Sequence, residues 1–320
     1  MALKTPLTEL LEIRHPVILA PMARVSGGAL AAAVSAAGGL GLIGGGYGEA
    51  EWIEAEFAAA GNQRIGIGFI TWCLAERPAL LDQALARSPA AVMLSFADPA
   101  PFAAKIKQAG AKLICQVQSL SHARSAAAAG ADVIVAQGSE AGGHGATRAT
   151  LPLVPAVVDA VAPVPVAAAG GIADGRGLAA ALMLGAAGVL LGTRFYAAAE
   201  SLGHPAAKQR ILAASGEDTV KTSVFDTARD LAWPAPYRIR GLANTFTERW
   251  HGNETALAEA GAAERARYGE ATGRGDFDTA GVIAGEAVGL IGEVLPAGEI
   301  VERLVAEAES RLEAVAGWRA

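Results

Sequence analysis

Short apolar runs recur at 17–20, 40–43, 64–69, 91–95, 112–117, 133–136, 166–168 and 189–191, separated by alanine-rich stretches of helical period such as 29–37, 99–109, 121–129 and 175–184. Runs of this length bounded by turn residues fit buried strands, and their alternation with helical stretches predicts parallel βαβ units. Eight such units favour closure into a (β/α)8 barrel over an open sheet. Gly110-Ala111, Gly130-Ala131 and Gly185-Ala186 stand between a helical stretch and the next apolar run, where a glycine ends a helix.

The pattern changes after the eighth run. Residues 204–279 are more charged, carry Trp233, Tyr237 and Trp250, and are broken by Pro234 and Pro236. They read as a smaller helical subdomain inserted after strand eight. Helical periodicity returns over 280–316, which is assigned to the closing barrel helix. The expected organisation is therefore a barrel of residues 1–203 and 280–320, with 204–279 bordering the active site at the catalytic face.

Composition narrows the partners. Of 320 residues 52 % are hydrophobic but only 5 % aromatic, so alanine and glycine carry the apolar content and suit close helix–sheet packing. A net charge of −6 without a long basic run gives no footprint for nucleic acid. Cys73, on a loop, and Cys115, in an apolar run, form neither a disulfide framework nor a zinc site, which points to a reducing compartment. Residues 25–48 lack charge, but Gly27, Gly28, Gly38, Gly39, Gly41 and Gly44 to Gly46 interrupt them, so no membrane span is expected. Lys4, Glu9, Glu12 and Arg14 do not fit a signal peptide. A cytoplasmic protein with a small ligand is the expectation.

In such barrels the C-terminal strand ends build the active site. Here they read Ala20-Pro21-Met22, Gly44-Gly45-Gly46, Gly68-Phe69, Gln116-Val117-Gln118, Gln137 to His144, Gly170-Gly171-Ile172 and Gly192-Thr193. Glycines and neutral amides dominate, which suits a flat polar ring and a phosphate rather than a metal. The glycines after strands seven and eight occupy the standard barrel phosphate position, where backbone N–H groups approach an anion. One such turn alone would more often be just a tight connection; two on the right pair of strands reverse that preference. Gly39-Leu40-Gly41-Leu42-Ile43-Gly44 imitates a dinucleotide fingerprint, but its apolar run lies inside the motif and Arg64 stands where an acidic residue belongs.

His144 is the one histidine at a strand end within a polar glycine loop, and an imidazole transfers protons near neutral pH. A structural histidine bonded to the loop backbone fits its position equally well. Gln116 and Gln137 offer donors and an acceptor to a ring edge, or cap their strands. Glu140 reads as a hydrogen-bonded support, and Ser139 lacks the G-x-S-x-G elbow of a nucleophile. Tyr237, Asn244 and Trp250 could border the substrate, although aromatics there more often form core.

The strings Ala20-Pro21-Met22, Gly38 to Gly41, Ala136-Gln137-Gly138 through Gly142-Gly143-His144, Ala168 to Arg176, and Gly192-Thr193-Arg194-Phe195 resemble the nitronate monooxygenase family, formerly 2-nitropropane dioxygenase. Asp218 to Lys221, Ala287 to Ile291 and the 296–301 tail extend the resemblance over nearly the whole chain, with the fungal-type branch most similar. The resemblance implies non-covalent FMN in the barrel mouth, lined by Pro21, Met22 and Ala23, with Gln116 and Gln137 near the ring. It brings Gly142 and Gly143 close to the flavin, gives Gly170, Gly171, Ile172, Gly192 and Thr193 to cofactor binding, and makes His144 the catalytic base. The implied reaction oxidises an alkyl nitronate, such as propionate 3-nitronate, with O2 to a carbonyl product and nitrite. Nitronate or nitroalkane and O2 are the implied partners, and a homodimer is compatible with it.

One departure from the bacterial pattern is Val25-Ser26-Gly27-Gly28, where many members carry a Ser/Thr-x-Pro element. FMN-dependent enoyl-ACP reductases share Glu-Ala-Gly-Gly-His and Ala-Gly-Gly-Ile-Ala-Asp-Gly, but typically have Gly-Gly-Met at strand one and Glu-Gly after strand six. Ala-Pro-Met and Gln137-Gly138 favour the monooxygenase here. An NAD(P)H:quinone reductase and a flavin-binding barrel without turnover are the further alternatives.

Overall fold

The computed structural model describes residues 3–317. Its strands in chain order are β1 Val17–Leu19, β2 Leu42–Gly44, β3 Gly66–Ile70, β4 Ala91–Ser95, β5 Lys112–Val117, β6 Val133–Gln137, β7 Gly143–Gly145, β8 Val166–Ala169, β9 Gly188–Leu191, β10 Thr219–Thr222 and β11 Arg238–Leu242. Eight of them form one parallel sheet in the order β1-β9-β8-β6-β5-β4-β3-β2. A parallel bridge between Ile18 and Leu40 joins its two edges, with Leu19 N–H donating to the Leu40 carbonyl at 2.9 Å. The sheet is thus a closed (β/α)8 barrel.

The period of two along each strand divides the core. Ile18, Leu42, Met93, Ile114, Val133, Val135, Ala167 and Leu190 fill the barrel interior. Their neighbours Val17, Leu19, Ile43, Val92, Leu113, Ile134 and Val189 face outward under the helices. Leu7 and Leu11, from the helix Pro6–Leu11, join the interior cluster at the bottom. Gly110, Gly130 and Gly185 have φ of +79, +87 and +90°, the left-handed helix ends their positions predict. Asp174 caps the helix Gly175–Met183 by accepting from Arg176 N–H at 3.0 Å.

The closing helix is Ala297–Ala316, packed on Gly175–Met183 and Gly28–Ala36. It begins later than the periodicity from 280 suggests. Val282, Ala284, Val288 and Ile291 instead pack against Ala207, Ile211 and Leu242, in a segment that holds the short 3-10 helix Glu286–Leu290 and no α-helix, so their apolar spacing reports burial. Cys73 lies in the helix Thr71–Glu76 rather than on a loop, because that helix starts directly at the end of β3. The glycines of 39–44 serve packing: a Cβ at Gly41 would meet the Ala31 carbonyl oxygen at 1.9 Å.

Residues 205–274 hold the helices Pro205–Ala213, Val224–Ala228, Thr245–Trp250 and Glu254–Arg274, together with β10 and β11. Phe225, Ile239, Phe246, Trp250, Leu257 and Tyr268 form a core of their own. β11 also pairs antiparallel with β7, a strand within the loop after β6, and sets His144 opposite Ile239. That pairing ties the segment to the barrel mouth. No helix among the described residues is long and apolar enough to cross a membrane.

Candidate active site

A cavity of about 350 Å³ opens at the C-terminal strand ends, in the range usual for small-ligand sites. Its floor is built from the turns after β1, β3, β6, β8 and β9. A Cβ on Gly68 would lie 2.2 Å from Pro21 Cγ, so glycine there lets the β1 end lean over β3. Gly170 and Gly171 have φ of +101 and +72°, conformations that side-chain-bearing residues rarely adopt. Gly192 differs from both. Its φ is −106°, and an added Cβ would meet nothing nearer than Met22 Sδ at 3.6 Å. Neither backbone nor protein packing requires a glycine there, while Gly192 lines the cavity. The bare backbone is left for a ligand that comes close, which fits a phosphate beside Gly170, Gly171 and Gly192.

His144 lines the same cavity. Its Nε2 lies 3.0 and 2.9 Å from the two carboxylate oxygens of Asp226, with both side chains buried. Arg229 Nη2 donates to Asp226 Oδ1 at 2.8 Å, one helical turn away. The Trp233 indole stacks on the imidazole, with centroids 3.4 Å apart and planes 10° from parallel. Nδ1 has no hydrogen-bond partner among the described residues, and His144 lines the cavity. Burial lowers the His144 pKa below 6.5, against the opposing pull of the Asp226 hydrogen bond and charge. A neutral imidazole with Nε2–H on Asp226 carries its basic lone pair on Nδ1. Such a group can accept a proton from a ligand in the cavity.

Pro21, Met22, Ala23, Gln116, Gln137, Gly142, Gly143, His144, Gly170, Gly171, Ile172, Gly192 and Thr193 all line this cavity. Several also have partners in the protein. Gln137 Oε1 accepts from Gln116 Nε2 at 3.1 Å and Gln118 Nε2 at 2.8 Å, and its own Nε2 donates to the His144 carbonyl at 3.0 Å. Gln137 therefore anchors the histidine strand. Thr193 Oγ1 accepts from Gly285 N–H at 2.9 Å. Glu140 accepts from Thr150 N–H at 2.9 Å and holds the start of the next helix.

Asn244 does not line the cavity. Buried, it caps Thr245–Trp250 by accepting from Thr247 N–H at 3.0 Å, and Trp250 belongs to the segment's core. Sequence reading missed Asp226, Arg229, Tyr47 and Phe96. Inspecting every strand end would have reached Phe96, next after β4, and Tyr47, just beyond the Gly44–Gly46 turn. Nothing local marks Asp226, which meets His144 only through the pairing of β7 with β11.

Fold and cavity together define a (β/α)8 barrel with its candidate site at the C-terminal mouth, where enzymes of this fold carry their chemistry. The nitronate monooxygenase family model matches residues 4–64 and 74–307, and the chain belongs to that family of oxidoreductases. Family members typically bind FMN. A nitronate monooxygenase of Neurospora crassa is 35 % identical over 355 aligned positions, covering 96 % of this chain and 93 % of that one. The (3aS,4S,5R,7aS)-5-hydroxy-7a-methyl-1-oxo-octahydro-1H-indene-4-carboxyl-CoA dehydrogenase of Mycobacterium tuberculosis is 39 % identical over 231 residues, 71 % of this chain. That match spans 65 % of the dehydrogenase, slightly under two thirds of its length. Among solved structures, FabK from Thermotoga maritima superposes with a TM-score of 0.85 at 34 % identity, covering 98 % of this chain and 99 % of that one.

Proposed function

We propose that the protein binds FMN in the barrel mouth and oxidises alkyl nitronates with O2 to a carbonyl product and nitrite. The observation that carries this reading is His144: a buried imidazole, fixed through Nε2 by Asp226, facing a glycine-lined cradle. Gly170, Gly171, Ile172, Gly192 and Thr193 would hold the phosphate, and Pro21, Met22, Ala23, Gln116, Gly142 and Gly143 would border the ring. Bound there, FMN supplies the redox chemistry between nitronate and O2. The chain's own residues bind, orient and move a proton. His144 Nδ1 takes the α-proton of a neutral nitroalkane, which suits a base that burial keeps neutral at pH 7. A nitronate arrives already deprotonated and does not need that step. In this reading residues 204–279 act as a subdomain that completes the site with Asp226 and Trp233.

The likeness to FabK and to a CoA dehydrogenase favours a second reading, an NAD(P)H-dependent reductase of the same fold. Anaerobic mixing separates the two. Rapid bleaching of the flavin absorbance by an alkyl nitronate, with slow or no bleaching by NADH and NADPH, is the expected result. Rapid bleaching by a nicotinamide and none by nitronates would replace the first reading with the second.

A further inference from the structure

We propose that Trp233 is the specificity-determining residue of this site, and that it restricts the substrate to one with an uncharged, apolar tail. A nitronate carrying a carboxylate, such as propionate 3-nitronate, is then a poor substrate. The inference rests on the nitronate reading for the identity of the reacting group, but not for binding.

Trp233 meets Phe96 at 5.0 Å, Trp72 at 5.5 Å, and Tyr47 and Tyr237 at 6.4 Å, each edge to face, while its own face lies on His144. These are distances at which aromatic pairs attract. Trp233 Nε1 donates to the Tyr47 hydroxyl at 3.1 Å, so the polar atoms of both rings are partly spent on each other. Phe96 reaches the cluster with φ of +71°, a strained conformation for a bulky side chain that persists where surrounding contacts demand it. Tyr47, Phe96 and Trp233 line the cavity on the histidine side, joined by Ile239 and Ile283. Hydrocarbon is what a ligand's tail meets beyond the reacting group.

The charges agree with this. Among the described residues lining the cavity, Arg229 is the one Lys or Arg. Its Nη2 is paired with the Asp226 carboxylate and its Nε donates to the Phe225 carbonyl at 3.0 Å. The nearby Lys221 donates to the Ala146 carbonyl and lies outside the lining. Glu140, which does line the cavity, adds a negative charge. A substrate carboxylate would lose its water here and find, among the described residues lining the cavity, no cation that is not already paired with a carboxylate. Desolvating an unpaired charge costs far more than burying a methylene returns.

Two measurements test the inference. The first is direct binding to the protein as isolated, by calorimetry, of phenylacetamide and phenylacetate, probes of one shape that differ in charge. The amide should bind at least about tenfold more tightly, as expected when one of the pair loses uncompensated solvation. In Trp233→Ala, with unchanged far-UV circular dichroism, the amide should weaken towards the affinity of the carboxylate. Equal or tighter binding of phenylacetate, no binding of either, or an amide affinity indifferent to Trp233→Ala would overturn the inference. The second is kcat/KM for the nitronates of nitroethane through nitrohexane, which should rise about fourfold per methylene until the cage is full. Trp233→Ala should flatten that rise, the longest nitronates losing the most. Oxidation with propionate 3-nitronate as the best substrate would overturn the specificity alone. A protein that prefers the amide yet oxidises no nitronate would instead remove the nitronate reading and leave the cage standing.

Discussion

His144 has a different neighbour on each ring nitrogen. Asp226 fixes Nε2, and Nδ1, without a hydrogen-bond partner among the described residues, is the proposed base. His144→Asn should therefore cost activity on neutral nitroalkanes by at least about a hundredfold, the usual worth of a positioned general base, while sparing nitronates. Equal loss on both would remove the base assignment. Asp226→Asn should act through pH. The Asp226 charge raises the His144 pKa and Arg229 lowers it, so without the carboxylate the pKa falls further. The acid limb of kcat/KM on nitroalkanes, already below pH 6.5, should move to lower pH with a smaller plateau; an unmoved or raised limb would contradict the geometry. The same lowered pKa sets a sign for stability. Below pH 6.5 the unfolded chain binds this proton before the folded one does, so the histidine favours folding less as pH falls from 6.5 through its folded pKa.

At the scale of elements, the turns after β8 and β9 and the pairing of β7 with β11 shape the candidate site. Gly192 offers the cleanest probe, because its φ of −106° does not require glycine and an added Cβ meets nothing nearer than 3.6 Å. Gly192→Val should leave the circular dichroism of the apoprotein unchanged and reduce flavin affinity by at least about tenfold, since branched methyls would occupy the space left for the ligand. Flavin bound per protein, read from visible absorbance after gel filtration, measures this; full occupancy would show that the phosphate sits elsewhere. The glycine turns were legible in the sequence because they follow apolar runs at strand ends. The β7–β11 pairing was not, since Gly143-His144-Gly145 has no strand-like pattern and gains its regular backbone only from Arg238–Leu242.

For the whole molecule, closure between β1 and β2 and the packing of 297–316 on Gly28–Ala36 and Gly175–Met183 bring residues as far apart in sequence as Ala20 and Ala287 around one cavity. A ligand gripped by the turns after β1, β6, β8 and β9 exists only for the folded barrel. FMN at about a hundred times its Kd should therefore stabilise the protein by about 2.7 kcal/mol through mass action, seen as a rise in Tm. A Tm indifferent to FMN would mean the cavity serves another ligand.

The sequence by itself determined the barrel, since the alternation of short apolar runs with helical stretches reflects burial that each unit needs locally. It also determined where the glycine turns and His144 fall, because strand ends can be counted along the chain. Tertiary structure alone decided which partners those residues have. Gln137, expected at the ring edge, lines the cavity and also anchors the His144 strand, while Asn244 is a helix cap away from the cavity. The carboxylate on His144 comes from 82 residues further along the chain. Contacts at that separation depend on how strands pair, and no local run of side chains encodes them.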